Sequence, residues 1–294
     1  MAKIIVAVIG AGTIGADVAV DLSLHGYHVL LKDLSDFELE KARKRIRNSY
    51  RFTKMMKKAE PIPPIDEVLK KIELTIDYKN FHNADLVIEN ITENYEAKKK
   101  LYLEMREVCR ENVVYGVNTS CISITKIAAL MPNPENVIGI HFMNPVPVSK
   151  LVEIIRGHHT SDETLERTKG FIKTLHKKCV VVNDLPGFVS NRVILLTINE
   201  CIWLVHDKVA EPKEIDIIFK LGFGHKMGPL ATADLIGLDT ILNSILVLYE
   251  NYNDPKYRPC PLLRKMVDAG LLGKKSGQGF FKYSCGFALI GRLE

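Results

Sequence analysis

A glycine-rich turn near the N-terminus restricts the fold of this chain more than any other feature. Gly10-Ala11-Gly12-Thr13-Ile14-Gly15 follows an apolar run at residues 4–9 and opens a helical stretch. In that strand–turn–helix setting, the first glycine permits a tight turn, the second lets the backbone approach a pyrophosphate and the third lets helix pack on strand. The amides and dipole at the helix N-terminus favour phosphate. A plain tight turn is the competing interpretation of the glycines alone.

An acid at the end of the second apolar run strengthens the nucleotide interpretation. Asp33 follows Leu30-Leu31-Lys32 and lies 18 residues beyond Gly15, close to the spacing of a ligand for a ribose hydroxyl. Its carboxylate would repel a 2′-phosphate, so the predicted cofactor is NAD rather than NADP. Lys32 is a nearby cation that could tolerate the phosphate. Because side chains alternate across a strand, Lys32 should point away from Asp33.

The order of apolar and helical stretches predicts two domains. Up to about residue 184 the two alternate, which is typical of a parallel α/β sheet. The predicted strands are 4–9, 28–31, 84–88, 113–117, 137–142, 152–155 and 180–182, with helices near 13–25, 36–50, 94–110, 123–131 and 161–177. Helical periodicity then takes over at 188–207, 211–221, 228–250 and 260–270. We therefore predict an N-terminal Rossmann-type doubly wound parallel sheet over residues 1–184 and an all-α C-terminal domain over 185–294.

Composition excludes several classes of function. The net charge of +5 includes no basic block interleaved with aromatic residues, so nucleic acid is not an expected partner. No apolar run reaches the roughly 18 residues of a membrane span, and no signal or transit peptide is evident. The six cysteines show no metal-ligand spacing, so no metal site is expected and a reducing cytoplasm is the predicted location.

One histidine and one glutamate are candidates for proton transfer. His141 lies near the end of the apolar run 137–142, and Glu153 lies twelve residues later in the next predicted strand. An imidazole with an ordinary pKa of about 6.5 can take a proton at neutral pH, and a carboxylate can hold its tautomer and stabilise the imidazolium. A core histidine near a solvated glutamate is the competing interpretation of the same pair.

Taken together, these motifs resemble the L-3-hydroxyacyl-CoA dehydrogenases over nearly the whole chain. Besides the glycine turn with Asp33, the matching stretches are residues 89–94, 118–120, 141–147 with Glu153, 186–192, and 227–230 with 234–239. The resemblance implies that His141 is the base that takes the proton of a 3-hydroxyl while hydride passes to the nicotinamide. It also implies that Glu153 holds and charge-balances His141.

The same resemblance implies further site residues. Ser120 and Asn191 would hydrogen-bond the substrate and orient it. The positions that would line the cofactor are Glu93, Lys98, Ser120 and Asn144. The residues alone leave other roles open: Ser120 as a cap of the helix that begins near Ser123, Asn191 as a structural hydrogen-bond partner, and Lys98 as a surface cation. The helical domain resembles one that forms a homodimer and closes over the substrate.

Other features of the sequence bear on which thioester is the substrate, one on a carrier protein or one on CoA. A proline-rich segment at residues 61–64 must break any helix that runs from the forties towards residue 75. Residues 141–145, 156–162 and 181–184 are similar to dehydrogenases of polyketide gene clusters, which oxidise a glyceryl thioester on an acyl carrier protein to give hydroxymalonyl- or methoxymalonyl-type units. We therefore expect a carrier-protein thioester, with a short-chain acyl-CoA such as 3-hydroxybutyryl-CoA as the alternative. A non-catalytic dinucleotide-binding protein on the same fold is the second alternative. The tail 284–294 has no assignment.

Overall fold

An eight-stranded sheet organises the first of two units, with strand order β3-β2-β1-β4-β5-β6-β7-β8. The computed structural model describes residues 4–58 and 60–283; the first unit ends at Leu185 and the second begins at Pro186. The strands are β1 (Ile5–Ile9), β2 (His28–Lys32), β3 (Ile72–Thr75), β4 (Leu86–Glu89), β5 (Val114–Val117), β6 (Val137–Phe142), β7 (Leu151–Arg156) and β8 (Lys178–Asn183). The inner strands are buried on both faces, which explains their continuous valine and isoleucine runs.

The Rossmann-type parallel sheet predicted from the sequence is confirmed, with one antiparallel pairing. All neighbouring strands from β3 to β6 run parallel, and so do β7 and β8. Strands β6 and β7 are antiparallel. Their connection, residues 143–150, is too short for the crossover that a parallel pair needs. Strand β3 was not predicted, since it spans only four residues and depends on pairing with β2.

Among the described residues of the first unit, six α-helices connect the strands. They are α1 (Thr13–Leu24), α2 (Asp36–Met56), α3 (Ile65–Leu69), α4 (Tyr95–Val108), α5 (Ile124–Ala128) and α6 (Asp162–Thr174). Four of them begin with a side-chain cap that accepts a hydrogen bond from a first-turn amide, and the capping residues are Ser35, Asn94, Ser123 and Ser161. Helix α2 ends at Met56, before the proline-rich segment, so the predicted break is confirmed.

The second unit is helical, as predicted. Its helices are α7 (Ser190–His206), α8 (Pro212–Ile217) followed by a π-helical turn (Ile218–Gly222), α9 (Pro229–Ile236), α10 (Leu238–Tyr252) and α11 (Pro261–Asp268). The prediction of one helix over 228–250 is wrong: Gly237, at φ 105°, separates α9 from α10, which bend by 98°. A positive φ of this kind strains any residue with a side chain, so the break depends on glycine.

A buried carboxylate holds the last described segment of the second unit. Asp234 on α9 accepts hydrogen bonds from the amides of Phe280 and Phe281 and from the Tyr283 hydroxyl. Burial raises the pKa of Asp234, and these three donors oppose that rise. The tail 284–294 lies outside the described residues.

Within the described part of the chain, no single helix is long and apolar enough to cross a membrane. The bent pair α9 and α10 is long and apolar enough only when its two helices are taken together.

Candidate active site

The glycine turn has the close packing that its sequence predicts. A side chain at Gly10 would come within 2.7 Å of the Asn90 carbonyl oxygen, and Gly10 has φ 91°. A Cβ on Gly15 would lie 1.8 Å from the Gly10 carbonyl oxygen, so helix α1 could not approach β1 with any other residue there. A Cβ on Gly12 would meet nothing within 4 Å. The turn therefore leaves space at the N-terminus of α1, where a pyrophosphate would be held.

Asp33 lies beside this turn, at the carboxyl end of β2. Its carboxylate accepts hydrogen bonds from the amides of Ala11, at 2.6 Å, and Leu34, at 2.7 Å. Lys32 is buried, and its ammonium lies 4.4 Å from the centre of the Tyr78 ring. The cation is thus engaged in a cation–π contact with Tyr78. These residues fit the ribose of NAD, because the Asp33 carboxylate lies at the turn and the Lys32 ammonium contacts the Tyr78 ring.

His141 and Glu153 face each other across the antiparallel pair of β6 and β7. They are directly opposite in the register, and His141 Nδ1 lies 3.1 Å from Glu153 Oε2. Both residues are buried, at 9% and 4% exposure. The imidazole is therefore held by a carboxylate at the carboxyl end of β6, the edge of the sheet that also carries the glycine turn after β1. Parallel α/β sheets bind their ligands at this edge.

Glu93 holds the turn that carries Ser120. Its Oε1 accepts hydrogen bonds from the Thr119 hydroxyl at 2.5 Å, the Ser120 amide at 3.0 Å and the Cys121 amide at 2.9 Å. The cap of α5 is Ser123, so that role does not fall to Ser120. Glu93 and Ser120, both proposed from the resemblance, are brought together by these contacts.

Lys98 is enclosed in the first unit and is not a surface cation. Its ammonium lies 2.6 and 2.7 Å from the two carboxylate oxygens of Glu89, and both side chains are fully buried. Glu89 also accepts a hydrogen bond from the Ile91 amide. Burial raises the pKa of Glu89, and the Lys98 cation opposes this rise. The Lys98 ammonium also lies 3.5 Å from the Asn118 carbonyl oxygen, so its described contacts are at the carboxyl ends of β4 and β5.

The last two predicted site residues lie on different units. Asn144 is exposed in the connection between β6 and β7, three residues after His141. Asn191 is half-buried in the first turn of α7. Another asparagine of α7, Asn199, has a structural role: its side chain donates a hydrogen bond to the Arg258 carbonyl and accepts one from the Cys260 amide. Asn191 as a substrate ligand remains a prediction.

Two asparagines at the carboxyl ends of β4 and β5 were given no role in the sequence analysis. The side-chain amides of Asn90 and Asn118 bond to each other, and Asn118 also accepts from the amide of Phe142, next to His141. The available signal was their position directly after a buried strand, within the stretches 89–94 and 118–120. That position alone does not reveal which groups they bond.

Comparison with known families gives a match over nearly the whole chain. The family model described as "3-hydroxyacyl-CoA dehydrogenase, NAD binding domain" matches residues 5–185, and the model of the C-terminal domain matches residues 187–283. The chain belongs to the 3-hydroxyacyl-CoA dehydrogenase family. This dehydrogenase is thus an NAD-dependent oxidoreductase that acts on a CH–OH group.

Individual relatives are similar along all or most of their length. A probable 3-hydroxybutyryl-CoA dehydrogenase of Bacillus subtilis is 45% identical over 277 residues, which covers 94% of this chain and 96% of the relative. The human mitochondrial hydroxyacyl-coenzyme A dehydrogenase is 37% identical, with 95% and 90% covered. The crystal structure of (S)-3-hydroxybutyryl-CoA dehydrogenase PaaH1 from Ralstonia eutropha has a TM-score of 0.88 at 40% identity and covers 96% of this dehydrogenase and 100% of that chain.

These comparisons bear on the predicted branch of the family. The names of the relatives refer to CoA thioesters, and none of the three refers to a carrier protein or to polyketide synthesis. The expected carrier-protein substrate is therefore unsupported, and the alternative that we kept beside it, a short-chain acyl-CoA, fits these findings better. The stretches that suggested the first choice are short, and they lie in loops and strand ends of the shared fold.

Proposed function

We propose that this dehydrogenase oxidises the 3-hydroxyl of a short-chain L-3-hydroxyacyl-CoA, with 3-hydroxybutyryl-CoA as the substrate. One observation carries the proposal: His141 is held by Glu153 at 3.1 Å, at the sheet edge where the glycine turn also lies. The names of the full-length relatives support the choice of acyl group and of CoA. The cytoplasm stays the predicted location.

His141 and Glu153 have different roles in the proton transfer. Because His141 Nδ1 faces the Glu153 carboxylate, the neutral imidazole carries its proton on Nδ1 and presents Nε2 as the acceptor. His141 Nε2 takes the proton of the 3-hydroxyl, and Glu153 stabilises the resulting imidazolium. When bound, NAD⁺ supplies the hydride acceptor for C3. The product is the 3-oxoacyl thioester, and the reverse reaction returns the proton from His141.

The remaining site residues would bind the cofactor and orient the substrate. The amides at the N-terminus of α1 and the Asp33 carboxylate would hold the pyrophosphate and the adenosine ribose. Ser120 would hydrogen-bond the substrate from a turn that Glu93 already holds in place. Asn191, at the start of α7, would be the second polar group to orient the thioester. Such fixed groups contribute to rate by placing the carbinol against the base.

The substrate proposal is tested by offering both thioesters to the same enzyme. We expect (S)-3-hydroxybutyryl-CoA with NAD⁺ to give acetoacetyl-CoA and an equal amount of NADH, measured by mass spectrometry and absorbance. A glyceryl thioester on an acyl carrier protein should react at least a hundredfold more slowly in kcat/KM. The matched control is enzyme that carries His141→Ala. Faster oxidation of the carrier-bound thioester would overturn the choice of CoA and restore the carrier-protein branch.

We also propose that the dehydrogenase is a homodimer formed through its helical unit. Large apolar side chains are exposed there, including Val193 at 60%, Leu221 at 82% and Phe223 at 67%. Exposed apolar surface of this kind is typical of a subunit interface. Light scattering should give about twice the 33.1 kDa chain mass. Leu221→Asp should shift the mass towards one chain, whereas Ile76→Asp, an exposed apolar position in the first unit, should not. A monomeric wild-type protein at micromolar concentration would contradict the proposal.

A further inference from the structure

Strand β6 continues beyond the end of its neighbour β5. The parallel register between them stops at Val117 and Gly139, and β6 runs on to Phe142. His141 lies in this extension, where β7 supplies pairing on one side only. A strand end that is held along one edge has more freedom than one held along both. The placement of the catalytic histidine therefore depends on what holds the other side.

The side chain of Asn118 supplies a contact on that other side. Asn118 directly follows β5, and its Oδ1 accepts a hydrogen bond from the Phe142 amide at 3.3 Å. Its Nδ2 donates to Asn90 Oδ1 at 2.6 Å, and Asn90 Nδ2 donates to the Ile88 carbonyl at 3.2 Å. Because the Phe142 amide can only donate and the Ile88 carbonyl can only accept, the orientation of both side-chain amides is determined.

The amide pair also contacts the glycine turn. Asn90 is the residue whose carbonyl oxygen would lie 2.7 Å from a Cβ on Gly10, and whose own Cβ would lie 3.6 Å from one on Gly15. Asn90 is thus packed against the turn, and its side chain is bonded to Asn118. A continuous set of contacts runs from the dinucleotide turn after β1, through the ends of β4 and β5, to the residue beside His141.

We propose that Asn118 is a positioning residue for His141, which it holds through the Phe142 amide while Asn90 anchors it to the glycine turn. The inference rests on the proposed role of His141 as the base. Misplacement of a reacting group by about 1 Å can lower a rate by about a hundredfold. Loss of Asn118 should therefore lower kcat much more than it changes the binding of either substrate.

The test compares Asn118→Leu, which has a similar size and no polar group, with Asn118→Asp, which keeps an acceptor for the Phe142 amide. The control is Asn136→Leu, at the opposite end of β6, where the side chain donates to the Glu111 carbonyl at 2.9 Å. With (S)-3-hydroxybutyryl-CoA and NAD⁺, N118L should lower kcat at least tenfold and change both KM values less than threefold. N118D should regain at least threefold in kcat over N118L, and N136L should stay within twofold of wild type.

Several outcomes would overturn the proposal. One is a kcat of N118L within twofold of wild type; another is an equal loss in N136L. A third is a kcat loss that matches the unfolded fraction seen by circular dichroism. If N118L does not fold, Asn118→Ser takes its place with the same thresholds, because a serine hydroxyl is too short to reach the Phe142 amide. Near-normal turnover of His141→Ala would contradict the proposed function itself, whereas an inactive H141A with a normal N118L would contradict only the role of Asn118.

Discussion

His141→Ala should lower kcat at least a hundredfold and leave NADH binding within threefold of wild type. A general base contributes about 10²–10⁴ to rate, and alanine removes both the acceptor nitrogen and the imidazolium that Glu153 would stabilise. The nucleotide is expected to contact the glycine turn and Asp33, which the substitution does not touch. Steady-state kinetics with (S)-3-hydroxybutyryl-CoA measure the first effect, and NADH fluorescence titration measures the second.

The matched control for this variant is His158→Ala. His158 is also in the first unit, but it is exposed and its ring contacts that of His159. Its loss should change kcat less than twofold. Turnover of H141A within tenfold of wild type would remove His141 from the role of base. A parallel loss of NADH affinity would instead indicate that the substitution disturbs the cofactor site.

Lys98→Met should destabilise the protein strongly. It removes the cation of a fully buried ion pair and leaves the Glu89 carboxylate without its partner. Breaking such a pair from one side costs about 3–5 kcal/mol, because the remaining charge is desolvated and uncompensated. Chemical denaturation should show this loss in the free energy of unfolding at pH 8.

The stability of this variant should depend on pH in a defined direction. Burial already raises the pKa of Glu89, and removing the opposing cation raises it further. An acid whose pKa is higher in the folded state binds its proton more tightly there, so protonation favours folding. The stability of K98M is therefore greatest below the unfolded-state pKa and falls as the pH rises through the folded-state pKa. The deficit relative to wild type should be smaller at pH 5 than at pH 8.

Two further variants separate the ion pair from other effects. Glu89→Leu combined with Lys98→Met should recover much of the lost stability, since an apolar pair replaces both charges. Lys100→Met, on the exposed face of the same helix, should be nearly neutral. A K98M deficit below about 1 kcal/mol that does not vary with pH would contradict a buried, ionised Glu89. NADH affinity of folded K98M also tests whether Lys98 contributes to the cofactor site, as the resemblance implies.

Local features of the fold could be predicted because their causes are local. The glycine turn needs glycine at position 10, where φ is 91°, and at position 15, where a Cβ would lie 1.8 Å from the Gly10 carbonyl oxygen. Helix α2 stops before the prolines at 61–64 because proline lacks the amide that a helix needs. The break at Gly237 was missed, since apolar periodicity continues across it and one glycine inside a helical pattern is usually tolerated.

The sequence by itself determined the two-part fold, the dinucleotide turn, and His141 with Glu153 as candidates, because sterics and burial patterns act between near neighbours in the chain. Only the tertiary structure decided where the candidates lie and which groups they contact. The antiparallel register sets His141 opposite Glu153, the end of β4 encloses Lys98 against Glu89, and the early end of β5 leaves Asn118 to contact the histidine strand. Each of these contacts joins residues from separate elements, and strand register and burial arise from packing that periodicity along the chain does not encode.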